Sequence, residues 1–232
     1  MYALGTGWHL RSKPKSLLQY ADEAAVSVEH GLGLFRAVVL IYRGWCLAAL
    51  GLADEGIASL TTGLTGVYDS GFKLFRPWYL TLFADACRMA GQWQAALEHL
   101  SEARRRGEET EERWTQAETL RLTGDVRLAI GDAAAAEAGY HEAIAIARQQ
   151  RTKLWELRAA ISLARLWRDQ GKRTDARDLL APVYGWFTEG FETPVHARHL
   201  GVGNPSASFH SGPRYAIRDG LPIVRPGRRD FD

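Results

Sequence analysis

Cysteine, lysine and long apolar runs are scarce in this chain of 232 residues, and each scarcity excludes something. The two cysteines, Cys46 and Cys87, are too few for a disulfide framework and lack the spacing of a metal knuckle. Both fall where first helices of hairpins are expected, as small buried residues. No apolar run approaches the ~20 residues that a membrane-crossing helix requires. Residues 1–10 lack the basic stretch and apolar core of a secretory leader. The reading that follows is a soluble, cytoplasmic protein. Lysine is nearly replaced by arginine, 5 against 24, which favours planar donors suited to forked contacts with carboxylates. A net charge of +2 is too small to imply nucleic-acid or membrane binding by bulk electrostatics. Missing too are a Gly-x-Ser-x-Gly elbow, a His-Glu-x-x-His pair and a phosphate loop ending in Gly-Lys-Ser/Thr.

What is present is a period. Gly51, Gly91, Gly131 and Gly171 stand 40 residues apart, and the residues around them recur without a gap. Seven before each glycine lie Gly44, Ala84, Gly124 and Ala164; five after come Gly56, Ala96, Ala136 and Ala176. Nine after are Leu60, Leu100, Tyr140 and Leu180. Small residues at fixed offsets let two helix backbones approach, and the large residue between them fills the groove. A fixed repeat of this length signals stacked helical hairpins, each contacting only its neighbours. The expected fold class is therefore all-α: a solenoid of about four tetratricopeptide-like hairpins with a leading helix and a disordered tail.

Read in order, residues 1–30 hold a truncated leading hairpin, with Pro14 opening a helix over Lys15–Glu29 that looks like a second helix without its first. Residues 31–192 form the repeat array, its hairpins covering about Leu34–Ser70, Pro77–Arg106, the stretch after Glu108–Glu112, and Leu154–Phe187. The acidic run Glu108–Glu112 is expected at the start of the third hairpin, where acids oppose the positive end of the helix dipole. Residues 193–232 carry five of the eight prolines and six arginines, with no lysine or glutamate, and lose periodicity; they read as the disordered tail.

Several segments carry a family resemblance. Leu157-Arg158-Ala159-Ala160, Ser162-Leu163-Ala164-Arg165-Leu166-Trp167, Asp169-Gln170-Gly171-Lys172 and the run Ala176–Phe191 resemble the C-terminal tetratricopeptide-like region of bacterial adenylate/guanylate cyclase-linked signalling ATPases. Gly44-Trp45, Leu47-Ala48 and Glu55-Gly56-Ile57 match earlier repeats of that region. The resemblance covers about residues 8–194 and is most specific over Tyr184–Phe191. It implies a sensor array that regulates an attached ATPase. The family's catalytic activities attach to no residue here, because the cyclase and ATPase signatures are absent; Gly5-Thr6-Gly7 and Gly31-Leu32-Gly33 do not substitute for a phosphate loop. Relatives follow the counterpart of Thr193-Pro194 with a short charged helix, whereas Val195 onwards reads like another frame. The alternative expectation is thus a fragment of a multidomain adenylate cyclase/ATPase.

In tetratricopeptide hairpins the first helices line the concave face. The glycine register places Val38, Trp78, Glu118 and Arg158 at one groove position, and Ile41, Thr81, Arg121 and Ile161 at the next. Trp45, Asp85, Asp125 and Arg165 share a third, and Ala48, Arg88, Leu128 and Arg168 a fourth. The partner-binding candidates are Trp78, Arg88, Glu118, Arg121, Arg158, Arg165 and Arg168, with the arginines grasping an acidic peptide by forked hydrogen bonds. Against this stands internal pairing, in which Asp125 and neighbouring acids already hold the arginines across repeats. Trp78 reads either as an anchor for the partner or as packing behind Pro77. His196-x-x-His199 has metal-like spacing but no Cys or acidic companions. No catalytic, cofactor or metal residue is expected. The expected partners are a protein or peptide in the groove and, through uncapped ends, a second copy of the chain, with no nucleic acid and no membrane.

Overall fold

The computed structural model describes residues 14–27, 33–187, 214–218 and 221–225. Helix α1 (Pro14–Ser27) leads, followed by four antiparallel hairpins: α2 (Gly33–Ala49) with α3 (Ala53–Asp69), α4 (Arg76–Met89) with α5 (Trp93–Glu109), α6 (Gln116–Ala129) with α7 (Ala133–Gln149), and α8 (Lys153–Asp169) with α9 (Arg173–Tyr184). Each first helix touches the first helix of the next hairpin, and each second helix also packs against that next first helix. The array is the expected α-solenoid, with α2, α4, α6 and α8 forming its inner layer.

The repeated glycines close the hairpins. At Gly91 (φ +73°) the amide donates to the Arg88 carbonyl at 3.1 Å, and Gln92 N donates to the Cys87 carbonyl at 2.9 Å. The same pair of bonds recurs at Gly51, Gly131 and Gly171, all with positive φ. An L side chain in this left-handed conformation costs ~1–2 kcal/mol. One turn between hairpins uses the same bonds without glycine: Arg151 sits at φ +56°, its amide on the Arg148 carbonyl at 3.1 Å.

The small residues around the glycines mark crowding of two kinds. In the first hairpin, a Cβ on Gly44 would lie 2.5 Å from the Gly56 carbonyl oxygen and 2.8 Å from the Leu60 amide, so α2 and α3 touch backbone to backbone. In the third, a Cβ on Gly124 would lie 2.5 Å from the Tyr140 ring. There the obstacle is a side chain larger than the leucine of the other repeats. Two hydrophobic clusters result, one spanning mainly the first two hairpins and one the last two, with Ile146 packed against both. Leu17 and Ala21 of α1 are buried, and Asp22 pairs with Arg43 at 2.9 Å. Thus α1 sits on α2 as the second helix of a preceding hairpin would.

Three expectations need correction or limits. The acidic run does not open the third hairpin: Glu108 and Glu109 end α5, and α6 begins only at Gln116 after a 3₁₀ turn over Arg113–Thr115. Carboxylates at a helix C-terminus oppose the dipole; Arg104 offsets Glu108 at 3.2 Å, and Arg105 and Arg106 bracket Glu109. The segment expected to be structureless contains two short strands, β1 (Arg214–Arg218) and β2 (Leu221–Arg225), paired antiparallel with Arg214 opposite Arg225. Met1–Trp8, Gly31-Leu32, Thr193-Pro194 and the His196/His199 pair lie outside the described residues.

Candidate partner-binding face

The inner layer is far less open than a groove. Of the four register positions along α4, three are closed off: Trp78, Thr81 and Asp85 are buried, and only Arg88 reaches solvent appreciably. The closure comes from neighbouring hairpins. The Trp78 ring centroid lies 5.4 Å from that of Trp114 and 6.1 Å from that of Trp155 at the start of α8. A tryptophan of the fourth hairpin thus reaches the second across the intervening repeat, so the inner layer curls onto itself at this end. Trp78 Nε1 donates to the Tyr42 hydroxyl at 3.3 Å. At 1 % exposure it packs inside the protein and offers no surface for a partner.

Beyond this aromatic contact the inner layer is polar, and the register predicts its contacts. Residues 40 apart are neighbours: Trp45 Nε1 donates to Asp85 at 2.9 Å, and Arg158 grips both oxygens of Glu118 at 3.1 and 2.7 Å. Asp85 also accepts from Arg88 Nε and Nη2 at 2.9 and 2.7 Å. Arg121 fills the centre, forking onto Glu118 at 2.8 and 2.7 Å and reaching Asp125 at 2.6 Å. Asp125 further accepts from the Tyr140 hydroxyl at 2.8 Å and from Ser162 at 3.2 Å. Internal pairing therefore holds Glu118, Arg121 and Arg158.

Burial sets the electrostatics of this lattice. Desolvation pushes the Glu118 carboxyl up, but Arg121 and Arg158 together outweigh it and hold the group down at about 2. Desolvation likewise opposes the Arg121 charge, and Glu118 with Asp125 reverses that, keeping the guanidinium firmly protonated. Asp85 raises Arg88 in the same sense. Tyr140 is pushed up, first by burial and then by Asp125. Arg165 differs, since burial depresses it and the Asp125 charge does not fully compensate. Desolvation also raises both thiols, Cys46 to about 12 and Cys87 to about 11; buried thiols in this state are poor nucleophiles.

The seven candidates thus divide. Trp78, Glu118 and Arg121 are interior, and Arg158 is nearly so, its side chain 11 % exposed. Arg88, Arg165 and Arg168 line the partly exposed rim around Asp125, with side-chain exposures of 31 % for Arg88 and 36 % for Arg168. Arg168 also pairs with its neighbour Asp169 at 2.8 Å. Ser162 and Tyr140 join the lattice without being among the expected members. Tyr140 carries a signal, as the one aromatic residue in the Leu60/Leu100/Leu180 series; Ser162 carries none. Among the described residues no group of three or more His, Cys, Asp and Glu side chains could hold a metal ion. No helix among them is long and apolar enough to cross a membrane.

No protein-family model matches the chain, and no curated protein matches it. Solved structures do. A Rap protein complexed with competence and sporulation factor superposes with a TM-score of 0.70 at 16% identity over 84% of this chain. This chain spans 55% of that protein's length. A putative kinesin light chain of Podosopora anserina with TPR-like repeats gives a TM-score of 0.53 at 18% identity, covering 79% of this chain and 91% of its own. A single-substitution form of the same protein gives 0.54 at 17% identity, again over 79% of this chain and 91% of its own. At these identities the likeness concerns the fold alone, and that fold is a tetratricopeptide-like α-solenoid.

Proposed function

We propose that the chain is a non-enzymatic interaction scaffold that holds a protein or peptide partner against the rim of its inner layer, at Arg88, Arg165 and Arg168. The observation that carries this reading is the division within the arginines. Arg121 is buried against Glu118 and Arg158 nearly so, whereas Arg165 and Arg168 of α8 are only partly buried, Arg168 also pairing with its neighbour Asp169. A partner with acidic side chains complements that rim, and such complementarity governs encounter rate and specificity more than raw affinity. The Rap protein that shares this fold was solved complexed with competence and sporulation factor, which supports ligand capture by such an array.

Within that role, the resemblance of α8 and α9 to cyclase-linked signalling ATPases supports a bacterial, cytoplasmic sensor array, in which partner capture regulates attached catalytic domains. The division into residues 1–30, 31–192 and 193–232 belongs to the same proposal, with Trp186, 58 % exposed beyond α9, as the point of self-association.

The test is Arg165→Glu combined with Arg168→Glu, read by fluorescence anisotropy against acidic peptides and their charge-reversed counterparts. The wild type is expected to prefer acidic sequences, and the double variant to lose that preference with its helical circular dichroism unchanged. Equal binding of both peptide sets, or preference retained in the variant, overturns the proposal. Arg158 is unsuitable as a probe, because Arg158→Glu would set a second carboxylate against buried Glu118.

A further inference from the structure

The position three residues before each turn glycine carries Ala48, Arg88, Leu128 and Arg168 in successive first helices. Ala48 is buried, whereas Leu128 is 37 % exposed. Among the described large apolar side chains of α2, α4, α6 and α8, Leu128 alone is exposed. The fold does not require a leucine there, since an alanine or an arginine fills the same position in the other hairpins. Leu128 therefore stands between two partly exposed arginines, one on the hairpin before it and one on the hairpin after it. Arg88 directs Nε and Nη2 to Asp85, and Arg168 directs Nε to Asp169. Nη1 of Arg88 and both Nη groups of Arg168 make no hydrogen bond among the described residues. The rim thus offers donors, an apolar contact and donors again, one to each hairpin.

Spacing and chemistry together specify what fits. The first helices of successive hairpins touch, and touching helices lie roughly 8–10 Å apart. A polyproline II chain rises about 3.1 Å per residue with three residues per turn, so side chains i, i+3 and i+6 share one face at intervals of about 9 Å. A β-strand cannot match this order, because its side chains alternate and i and i+3 point to opposite faces. Carboxylates complement the two guanidinium groups through charge-assisted hydrogen bonds. An aliphatic side chain complements Leu128, since their contact removes apolar surface of both from water. We infer that the partner seats an extended peptide of pattern acid-x-x-aliphatic-x-x-acid on this rim, its aliphatic residue against Leu128 and its acids on Arg88 and Arg168. This rests on the reading of the rim as the partner-binding surface and adds the partner's sequence pattern and backbone conformation.

Labelled peptides titrated against the whole chain by fluorescence anisotropy test it. The reference peptide is Glu-Ser-Ser-Leu-Ser-Ser-Glu. Its relatives replace the leucine by serine, both glutamates by lysine, or every spacer serine by proline, and one keeps the composition with shifted spacing, Glu-Ser-Leu-Ser-Glu-Ser-Ser. The reference is expected to bind about tenfold more tightly than the serine-centred peptide, the gain from covering part of one leucine. It should also bind more tightly than the shifted peptide, and proline spacers, which favour the polyproline II form, should leave affinity equal or higher. Leu128→Ser should bind the leucine and serine peptides alike. A preference for glutamate over lysine ends with equal binding of the leucine and serine peptides overturns this inference and leaves the rim reading standing; no preference for glutamate ends overturns both. Tighter binding of the shifted peptide, or loss of binding with proline spacers, overturns the extended register, and a leucine preference that persists in Leu128→Ser overturns the assignment of Leu128. Should that variant lose helical structure, the peptide comparisons on the wild type decide alone.

Discussion

Glu118 is the residue whose removal the structure prices most directly. Its carboxylate is buried between Arg121 and Arg158, at 2.7 Å from each. Its pKa lies at about 2 against an ordinary 4.5. At about 1.4 kcal/mol per pH unit, that displacement corresponds to ~3 kcal/mol of stability. The sign follows from the depressed value. The stabilisation is fully present above 4.5, where the unfolded chain is also ionised, and is lost as pH falls from there through about 2. Glu118→Gln keeps the side-chain volume and removes the charge, leaving two interior guanidinium groups short of their counter-ion. We expect a loss of about 3 kcal/mol at neutral pH. For a chain of this length, that is a fall in melting temperature of roughly 6–12 °C. Urea titrations of both proteins across acidic pH provide the assay. The gap between them should close by ~1.4 kcal/mol per pH unit below 4.5, because the wild type loses what the variant never had. A neutral-pH loss under about 1 kcal/mol, the size of an exposed ion pair, would refute the reasoning. So would a gap that stays constant with pH.

Two further outcomes follow from backbone and packing geometry. Arg151→Gly should stabilise the chain by ~1 kcal/mol, since this exposed residue sits at φ +56° in a turn between hairpins that closes with the same bonds as the glycine turns within them; an unchanged or lower thermal midpoint contradicts it. Gly124→Ala should destabilise by ~1–3 kcal/mol, because its Cβ would lie 2.5 Å from the Tyr140 ring. Adding Tyr140→Leu, the residue found at Leu60, Leu100 and Leu180, should recover part of that loss in a double-mutant cycle, and additivity of the two changes would show that they do not meet.

Much of the fold is legible because the forces that set it are local or repeat. The turn glycines announce themselves through a backbone conformation that other residues resist, and the small residues around them through crowding that admits at most an alanine, and in places only glycine. The cross-repeat contacts are legible too, once residues 40 apart are treated as neighbours; Trp45 with Asp85 and Glu118 with Arg158 follow that rule. The acidic run is ambiguous, because a charge pattern does not say which of two adjoining helices it terminates. Ser162 escapes as a polar partner, since nothing in its own surroundings distinguishes a residue reaching Asp125 from one packed in the core; Tyr140 stands out as the one aromatic in the Leu60/Leu100/Leu180 series, but that series does not say that its hydroxyl meets Asp125.

Hairpin architecture, register and the composition of the inner layer are all written in the chain's periodicity, because repeated chemistry constrains neighbours in a stack regardless of its curvature. Which of those residues face outward is a matter of three-dimensional assembly alone. Curvature brings Trp155 onto Trp78 across a repeat and lets Glu118 take up two arginines, leaving Arg88, Arg165 and Arg168 on the rim. That outcome depends on angles between successive helix pairs, which accumulate along the array and belong to no single residue.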